Sequence, residues 1–339
     1  MGFLTDNFIS SFFVSVINFF YSFTGDYVVS MLLFALAVRI VLLPLDIKSK
    51  KSTLKTQLVQ PKINAIKQRY KNDPEKQSIA LRNLYKEENI KMSAGCLPML
   101  LQLPILFAMF GAIRQLADTQ SIQLVVGLAN GQEIMPPSFM WIRNIWQADA
   151  GHVAVMPSFA EFTNAVNACA GKLDAATLAA AKNVVNLTAV NSFAGATATL
   201  TDATLLGGMF SEAYASIPAD VVASAAGMNF NTVVAPVLEA HAGFNNGYYV
   251  LPFLAFGTQW AATRQQTKQQ AMTTGSIGDS NMMMEWLMPL MIGWFAMTTG
   301  SLFAVYWVFG NLWMLGQNII MNMIIKKKLA EQANQPAKK

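Results

Sequence analysis

Several long stretches of this chain contain almost no charged residue, and this feature constrains the fold more than any other. A helix needs about 20 mostly apolar residues to cross a bilayer. Five such stretches are present. The fourth is short, and it is separated from the fifth by Thr298-Thr299-Gly300-Ser301, a sequence typical of a tight hairpin. The sequence therefore predicts an all-α integral membrane protein with five transmembrane helices. The stretches are Val28–Leu45, Gly95–Ile113, Gly247–Thr263, Trp286–Thr299 and Ser301–Ile325.

The composition agrees with a membrane protein and argues against several classes of site. Charged residues make up 13% of the chain, about half the share in a soluble domain. The two cysteines, Cys96 and Cys169, cannot form a disulfide framework, and neither lies in a metal-binding motif. Because only His152 and His241 are present, the counts also argue against a histidine-based metal or catalytic site.

The placement of Lys and Arg predicts the orientation, because cytoplasmic loops carry an excess of both. Asp46–Met92 contains 12 basic and five acidic residues, whereas Arg114–Gly247 contains four basic and nine acidic ones. We therefore place the first segment in the cytoplasm and the second outside. The basic residues after Ile325 then also lie inside. The N-terminus is predicted outside and the C-terminus in the cytoplasm.

The first 26 residues contain no Lys or Arg, which argues against a cleaved targeting signal. Within Phe8–Thr24 the polar residues Ser11, Ser15, Asn18 and Ser22 recur at helical spacing. Such a stripe predicts an interfacial helix on the outer surface. A sixth span that turns at Gly25-Asp26 is the alternative.

The basic cytoplasmic segment has the pattern of a helical hairpin. Its arms are about Lys48–Lys71 and Glu75–Asn89, with Pro61 as a possible kink in the first arm. Asp73 can cap the second arm, and Pro74 suits its first turn. A pair of helices has little core of its own, so the hairpin either docks on a partner or is a solvated loop attracted to anionic lipid.

Arg39 is the most informative residue, because a charge inside a span costs about 2.5–3.5 kcal/mol on insertion scales. It lies about 10 Å from the cytoplasmic end of its span, at 1.5 Å per residue. No predicted span has an acidic residue in its interior. Either Arg39 pairs with a carboxylate at the membrane edge, for which Glu285 is the best candidate, or it lies in a hydrated cavity that opens to the cytoplasm.

Motifs along the chain resemble those of the YidC/Oxa/Alb membrane protein insertases, in the right order. The similarity covers about residues 5–148 and 245–328. Its motifs are Val38-Arg39-Ile40-Val41-Leu42-Leu43-Pro44-Leu45, Gln60-Pro61-Lys62-Ile63, Tyr70-Lys71-Asn72-Asp73-Pro74, Gly95-Cys96-Leu97-Pro98-Met99-Leu100-Leu101-Gln102-Leu103-Pro104, Phe139-Met140-Trp141-Ile142-Arg143-Asn144-Ile145, Tyr248-Tyr249-Val250-Leu251-Pro252 and Tyr306-Trp307 with Asn311-Leu312 and Gln317.

The resemblance implies a bacterial plasma-membrane insertase with a hydrophilic groove in the inner leaflet, not an enzyme, and working without a cofactor. It would move nascent membrane proteins into the lipid bilayer, alone or beside the Sec translocon. The signal-recognition-particle pathway and the ribosome are implied as further partners through the hairpin, with no direct nucleic-acid readout. Arg39 would attract acidic residues in the substrate's tail. The rival classes are a transporter or channel and an assembly scaffold that does not insert its clients.

The family's groove positions map onto Arg39, Gln102, Gln259, Tyr306, Trp307, Asn311 and Gln317. The Gln and Asn side chains could instead only hydrogen-bond between helices, and the aromatic pair could be ordinary packing. The resemblance divides the chain into 1–26 (interfacial helix), 27–46 (first span), 47–92 (cytoplasmic hairpin), 93–114 (second span), 115–246 (outside), 247–325 (three spans) and 326–339 (short basic tail).

The chain departs from the family pattern at three places. Ala35 replaces a common hydroxyl residue one turn before Arg39, and Thr298-Thr299-Gly300-Ser301 stands where Phe-Pro-Ala-Gly is common. About Ala150–Phe244 is an extra, Ala-rich segment. Its helix-like stretches, Phe159–Leu173 and Ala175–Leu187, predict a small helical domain outside the membrane.

Overall fold

The computed structural model describes residues 8–88, 90, 97–199, 229–274 and 279–333. Across these ranges the secondary structure is helical apart from one bridge between Phe139 and Ile142, so the predicted all-α class is confirmed. The helices are α1 (Phe8–Thr24), α2 (Tyr27–Leu58), α3 (Gln60–Arg69), α4 (Pro74–Glu87), α5 (Leu97–Ala129), α6 (Phe159–Cys169), α7 (Ala175–Thr199), α8 (Phe230–Ala240), α9 (Val250–Thr274), α10 (Asp279–Thr298) and α11 (Ser301–Ala333).

One segment within the described ranges, Tyr27–Ser49 of α2, is long and apolar enough to cross a membrane by length and composition. The turn before it begins at Gly25, whose φ of 64° is a conformation that glycine adopts without a steric penalty. Asp26 then accepts hydrogen bonds from the backbone N–H groups of Val28 and Val29 at 2.7 and 3.0 Å. This cap satisfies amides that have no partner within the helix.

The chain divides into two compact units. The first comprises Met1–Ala112, Leu251–Thr298 and Leu302–Lys339, and the second comprises Ile113–Val250 and Thr299–Ser301. The first unit contains Arg39 and the helices α9 to α11, whereas the second contains most of the extra segment. Each unit is described separately below.

In the first unit, α1 packs antiparallel along α2. Tyr21 stacks on Tyr27 with ring centroids 3.9 Å apart, and Phe13 contacts Phe34 at 5.1 Å. The residue late in α1 contacts the start of α2, and the residue earlier in α1 contacts a later residue of α2. The two helices therefore run in opposite directions. The predicted polar stripe is exposed on α1, next to an exposed row of apolar rings. These rings belong to Phe8, Phe12, Phe19 and Phe23.

Within the predicted basic segment, residues 59–90 form a helical hairpin with its own small core. Asp73 caps α4 by accepting from the Lys76 backbone N–H at 3.0 Å, and Pro74 occupies the first turn, as the sequence predicted. Pro61 does not kink an arm, because α2 ends at Leu58 and the proline lies in the first turn of α3. The buried core consists of Val59, Ile63, Leu84 and Ile90. An exposed ion pair, Lys62–Glu88, joins the arms at 2.6 Å.

The second unit has an apolar core that the extra segment shares with the end of α5. Phe162 of α6 contacts Phe230 of α8 with centroids 5.3 Å apart, and Ile122 and Val125 of α5 belong to the same cluster. The two predicted helical stretches are present as α6 and α7. The turn signals at Gly207-Gly208 and Pro218 lie outside the described residues.

Helix α5 continues to Ala129, well beyond the predicted end of the second span near Ile113. The predicted span ends just before Arg114, the first charged residue after the apolar stretch. A charge ends an apolar stretch but not a helix, and Arg114 lies 3.9 Å from Asp118, one turn further along. The apolar residues of this extension are buried in the second unit instead of facing lipid.

Buried polar side chains join distant segments of the second unit. The Asn246 amide accepts from the Asn144 backbone N–H at 2.7 Å and donates to the carbonyl oxygens of Asn144 and Ala148, both at 2.9 Å. Asp149 accepts from the backbone N–H groups of Tyr248 and Tyr249 at 2.7 and 3.1 Å. The Asn144, Asp149 and Asn246 side chains are fully buried at this junction, so these hydrogen bonds fix the backbone on both sides of the extra segment.

The predicted hairpin between the last two spans is present, since α10 ends at Thr298 and α11 begins at Ser301. A Cβ on Gly300 would lie 2.7 Å from the Trp146 carbonyl oxygen, so only glycine fits. Ser301 donates from its backbone N–H and its hydroxyl to the Gln147 carbonyl oxygen, at 2.9 and 2.7 Å. The chain thus departs from the Phe-Pro-Ala-Gly pattern but has a glycine that this turn requires.

Candidate functional site around Arg39

Arg39 lies twelve positions into α2 and is partly buried. Among the described residues, no carboxylate lies within 4 Å of its guanidinium. Glu285, the candidate partner from the sequence, lies 3.5 Å from Arg264 Nε instead. The paired alternative for Arg39 is therefore wrong for the described carboxylates. Arg39 is therefore a fixed positive charge with no described carboxylate within 4 Å, in the described segment that is long and apolar enough to cross a membrane.

The guanidinium of Arg39 lies against the backbone of α11. A Cβ built on Gly310 would be 2.8 Å from Arg39 Nη2 and 3.8 Å from Cζ. Gly310 directly precedes Asn311 and lies one turn after Tyr306. The predicted site residues Arg39, Tyr306 and Asn311 therefore belong to one region of the first unit, although their side chains are not all in contact.

Helices α9 and α11 are joined by a row of side-chain hydrogen bonds. Trp307 Nε1 donates to Gln259 Oε1 at 3.0 Å, and Gln259 Nε2 donates to Thr263 Oγ1 at 3.1 Å. In the amide orientation that satisfies its neighbours, Asn311 donates to Gln259 Oε1 at 3.1 Å and accepts from Trp307 Nε1 at 3.2 Å. About two helical turns further along, Asn318 Nδ2 donates to Gln265 Oε1 at 3.2 Å.

These hydrogen bonds show what the Gln259 and Asn311 side chains do in this structure. Gln259 is 9% exposed and Asn311 is 4% exposed. The Gln259 amide oxygen accepts from Trp307 and Asn311, and its amide nitrogen donates to Thr263. In an apolar medium such bonds hold helices together, because the alternative is an unpaired polar group. Gln259 and Asn311 therefore link α9 and α11 in this structure, and a role for either residue in substrate binding stays a prediction.

The remaining predicted residues contribute less to this region. Tyr306 is buried, with 5% of its surface exposed, and the Trp307 ring stacks on Phe303 at 5.7 Å. Gln317 is partly buried on α11. Gln102 belongs to α5, but its side chain lies outside the described part of the structure.

A second charged region lies further along α9. Arg264 covers the Trp260 ring with its Cζ 4.9 Å from the centroid, and Trp260 in turn lies 5.9 Å from the Trp286 ring. Together with Ala261, Gln265 and Lys268, these α9 residues line an open cavity of about 390 Å³. Unlike Arg39, Arg264 has both a carboxylate and an aromatic partner, which makes it a useful comparison for experiments.

The sequence matches a known family along most of its length. The family model described as 60Kd inner membrane protein matches residues 19–186 and 172–328. The chain belongs to this family. The two matches together include Arg39, the hairpin of α3 and α4, and helices α9 to α11.

Curated relatives in the family are bacterial and carry the name membrane protein insertase YidC. The chain is 38% identical to one from Clostridium perfringens over 125 residues, which are 37% of this chain and 46% of the relative. It is 37% identical to one from Fusobacterium nucleatum over 108 residues, or 32% of this chain and 53% of the relative. For one from Treponema denticola, the identity is 38% over 112 residues, or 33% and 19%.

The matched segments thus span about half the length of these relatives or less. Family membership makes the chain a bacterial membrane protein, and its relatives are named as insertases and not as enzymes.

Sequence reasoning missed several residues of the region. Gly310 was not singled out, although a glycine inside a long helix destabilises it and usually has a packing reason. Thr263, Gln265 and Asn318 were missed as well. Their only signal was their spacing from Gln259 and Asn311 along the same helix faces, which can be read once the two helices are known to be neighbours.

Proposed function

We propose that this protein is a membrane protein insertase that moves newly made proteins from the cytoplasm into the bilayer. The observation that carries the proposal is Arg39, a partly buried cation without a carboxylate partner among the described residues. It lies in the described segment, Tyr27–Ser49, that is long and apolar enough to cross a membrane, in a member of this family. Intramembrane charges that have no partner are typically functional and face a hydrated space. A groove open to the cytoplasm in the inner leaflet would supply that space.

The proposed topology has five spans, with the N-terminus and residues 115–246 outside and both the hairpin and the C-terminal tail in the cytoplasm. The distribution of Lys and Arg along the chain supports this orientation. The N-terminal helix α1 is assigned to the outer interface. Its exposed phenylalanine row next to a polar stripe suits contact with lipid beside α2.

In the proposed mechanism, Arg39 attracts acidic residues in the short tail of a substrate. In bulk water a pair of charges about 4 Å apart gains only about 1 kcal/mol, but at an effective dielectric constant of about 20 it gains about 4 kcal/mol. A partly buried guanidinium therefore holds a carboxylate far better than an exposed one. Burial of the substrate's apolar segment in lipid, at about 0.8 kcal/mol per CH₂ group, then drives release.

The hydrogen-bonded row between α9 and α11 has a supporting role in this mechanism. It holds Trp307 and Asn311 in fixed positions on the helix that Arg39 contacts. The groove residues are therefore Arg39 as the charge, with Gln102, Gln259, Tyr306, Trp307, Asn311 and Gln317 along its walls. Because these side chains are held in place, Arg39 stays accessible to one substrate after another.

The cytoplasmic hairpin α3–α4 is assigned as the first contact for substrates. Nascent membrane proteins are its main partners, and the Sec translocon, the signal-recognition-particle pathway and the ribosome would act through the same surface. Among the described residues, a four-residue core and the Lys62–Glu88 ion pair join its arms, so the hairpin is held by a small set of contacts. A segment of this kind is free to reorient when a partner docks.

Reconstituted protein tests this function. Insertion of a single-span substrate with an acidic tail is compared with that of the same substrate after its tail carboxylates are changed to amides. Arg39→Ala should slow only the acidic substrate, by about tenfold or more, because tenfold corresponds to about 1.4 kcal/mol and the expected attraction is larger. Arg39→Lys should retain most of the rate.

Arg264→Ala is the matched control, since Arg264 is a second arginine of the same unit that already has a carboxylate partner. It should not discriminate between the two substrates. Equal losses for Arg39→Lys and Arg39→Ala would favour a structural role. Photo-crosslinkers beside Arg39 that never capture the substrate would refute the groove, and flux of a small solute through the vesicles would favour a transporter.

A further inference from the structure

Gly310 is surrounded differently from the other glycines inside long helices of the first unit. Within 4 Å of a Cβ built there, the described residues contribute only Arg39 atoms, the nearest being Nη2 at 2.8 Å. A side-chain Cβ essentially never lies that close to another heavy atom. At Gly316 of the same helix and at Gly257 of α9, by contrast, nothing lies within 4 Å.

Glycine is an unfavourable choice at this position for the helix itself. Gly310 lies in the interior of α11, where glycine loses more conformational freedom on folding than alanine does. Among the described residues, no helix packs so closely on the built Cβ that alanine would be excluded, because the neighbours within 4 Å are Arg39 Nη2 and Cζ. Among the described contacts, it is the close approach of the Arg39 guanidinium that requires a residue without a side chain at position 310.

We propose that Gly310 is a positioning residue for the substrate-binding charge: it allows the Arg39 guanidinium to rest directly on the α11 backbone. This inference rests on the proposed insertase function. One edge of the guanidinium faces the helix, which leaves its other N–H groups to bind a substrate carboxylate. The backbone contact thereby fixes how far the charge extends from α2.

A methyl group at this position moves the charge without disturbing the fold. The atom it meets is at the far end of a flexible side chain, which shifts more easily than a helix backbone. If the guanidinium moves by about 1 Å from a carboxylate about 4 Å away, the weaker attraction slows capture by about fourfold at an effective dielectric constant of about 20. Alanine meanwhile favours the helix.

The experiment uses the full chain in proteoliposomes, with acidic and neutral versions of one single-span substrate. Gly310→Ala should slow insertion of the acidic substrate by about fourfold, leave the neutral substrate unchanged and give a melting temperature at least as high as that of the wild type. Gly316→Ala is the matched control on the same helix and should change neither rate. In an Arg39→Ala background, Gly310→Ala should have no additional effect.

The inference is overturned if Gly310→Ala slows both substrates equally, if the losses of the two variants add in the double variant, or if Gly310→Ala has no effect while Arg39→Ala slows the acidic substrate. The last result would leave the proposed function standing. If Arg39→Ala is itself without effect on either substrate, the groove charge fails, and the inference fails with it.

Discussion

The core of the second unit offers a quantitative test through a thiol that it buries. Cys169 is 2% exposed and belongs to the same cluster as Phe162, which is fully buried and contacts Phe230. We consider Phe162→Ala, in a Cys96→Ser background that leaves Cys169 as the only thiol. A reagent then modifies Cys169 only when this core opens.

The size of the effect follows from the burial of the ring. Replacing a buried phenylalanine by alanine costs about 3–5 kcal/mol, because apolar contacts are lost and a cavity remains. Each 1.4 kcal/mol changes an equilibrium tenfold. The population in which Cys169 is accessible should therefore rise by between about 10² and a few times 10³.

The assay is pulsed thiol labelling of the full chain in detergent, read by mass spectrometry over a series of temperatures. Asn164→Ala is the matched control, because Asn164 is exposed on the same helix and should leave the labelling rate unchanged. A rise of less than about tenfold for Phe162→Ala would mean that Cys169 is not protected by this core. An equal rise in both variants would refute the reasoning in the same way.

Two further predictions concern carboxylates outside the spans. Burial raises the pKa of Asp118, with Arg114 and Lys172 acting in the opposite direction, so the folded state loses stability as the pH rises from the unfolded pKa to the folded one. Asp118→Asn should raise the melting temperature at neutral pH, and this gain over the wild type should shrink as the pH is lowered. A gain in melting temperature that is the same at every pH would contradict the prediction. The backbone N–H of Lys76 lowers the pKa of Asp73, with a side-chain bond from Lys76 adding to it. This stabilisation is present above the unfolded pKa of Asp73 and is lost as the pH falls through its folded pKa. Asp73→Ala should therefore speed amide hydrogen exchange at Lys76 near neutral pH but not at strongly acidic pH. Equal exchange rates in the variant and the wild type at neutral pH would contradict the prediction.

Features that depend on neighbouring residues in the chain could be predicted from the sequence. The cap at Asp73 and the break before Ser301 are local, because a few residues determine each of them. The helical class followed from the apolar stretches in the same way. The end of α5 was misplaced because its last turns are stabilised by the core of the second unit, and local pattern does not reveal such a core.

The contacts around Arg39 depend on residues far apart in the chain. The sequence suggested Glu285 as a partner because both residues could lie near one membrane face, yet Arg264 holds that carboxylate. Nothing near Arg39 in the sequence indicates that its guanidinium meets Gly310. Motif similarity located the helix correctly, but only the packing of α2 on α11 shows which backbone atom it approaches.

The buried junction around Asn144 and Asn246 has a consequence for how such a chain can evolve. The backbone N–H of Asn246 donates to the Val153 carbonyl oxygen at 2.8 Å, so the chain leaves and re-enters the junction at nearly the same point. The two ends of the extra segment therefore lie close together, and the entropy of closing such a loop changes only slowly with its length. During evolution this segment could be lengthened, shortened or exchanged while the flanking backbone keeps its conformation.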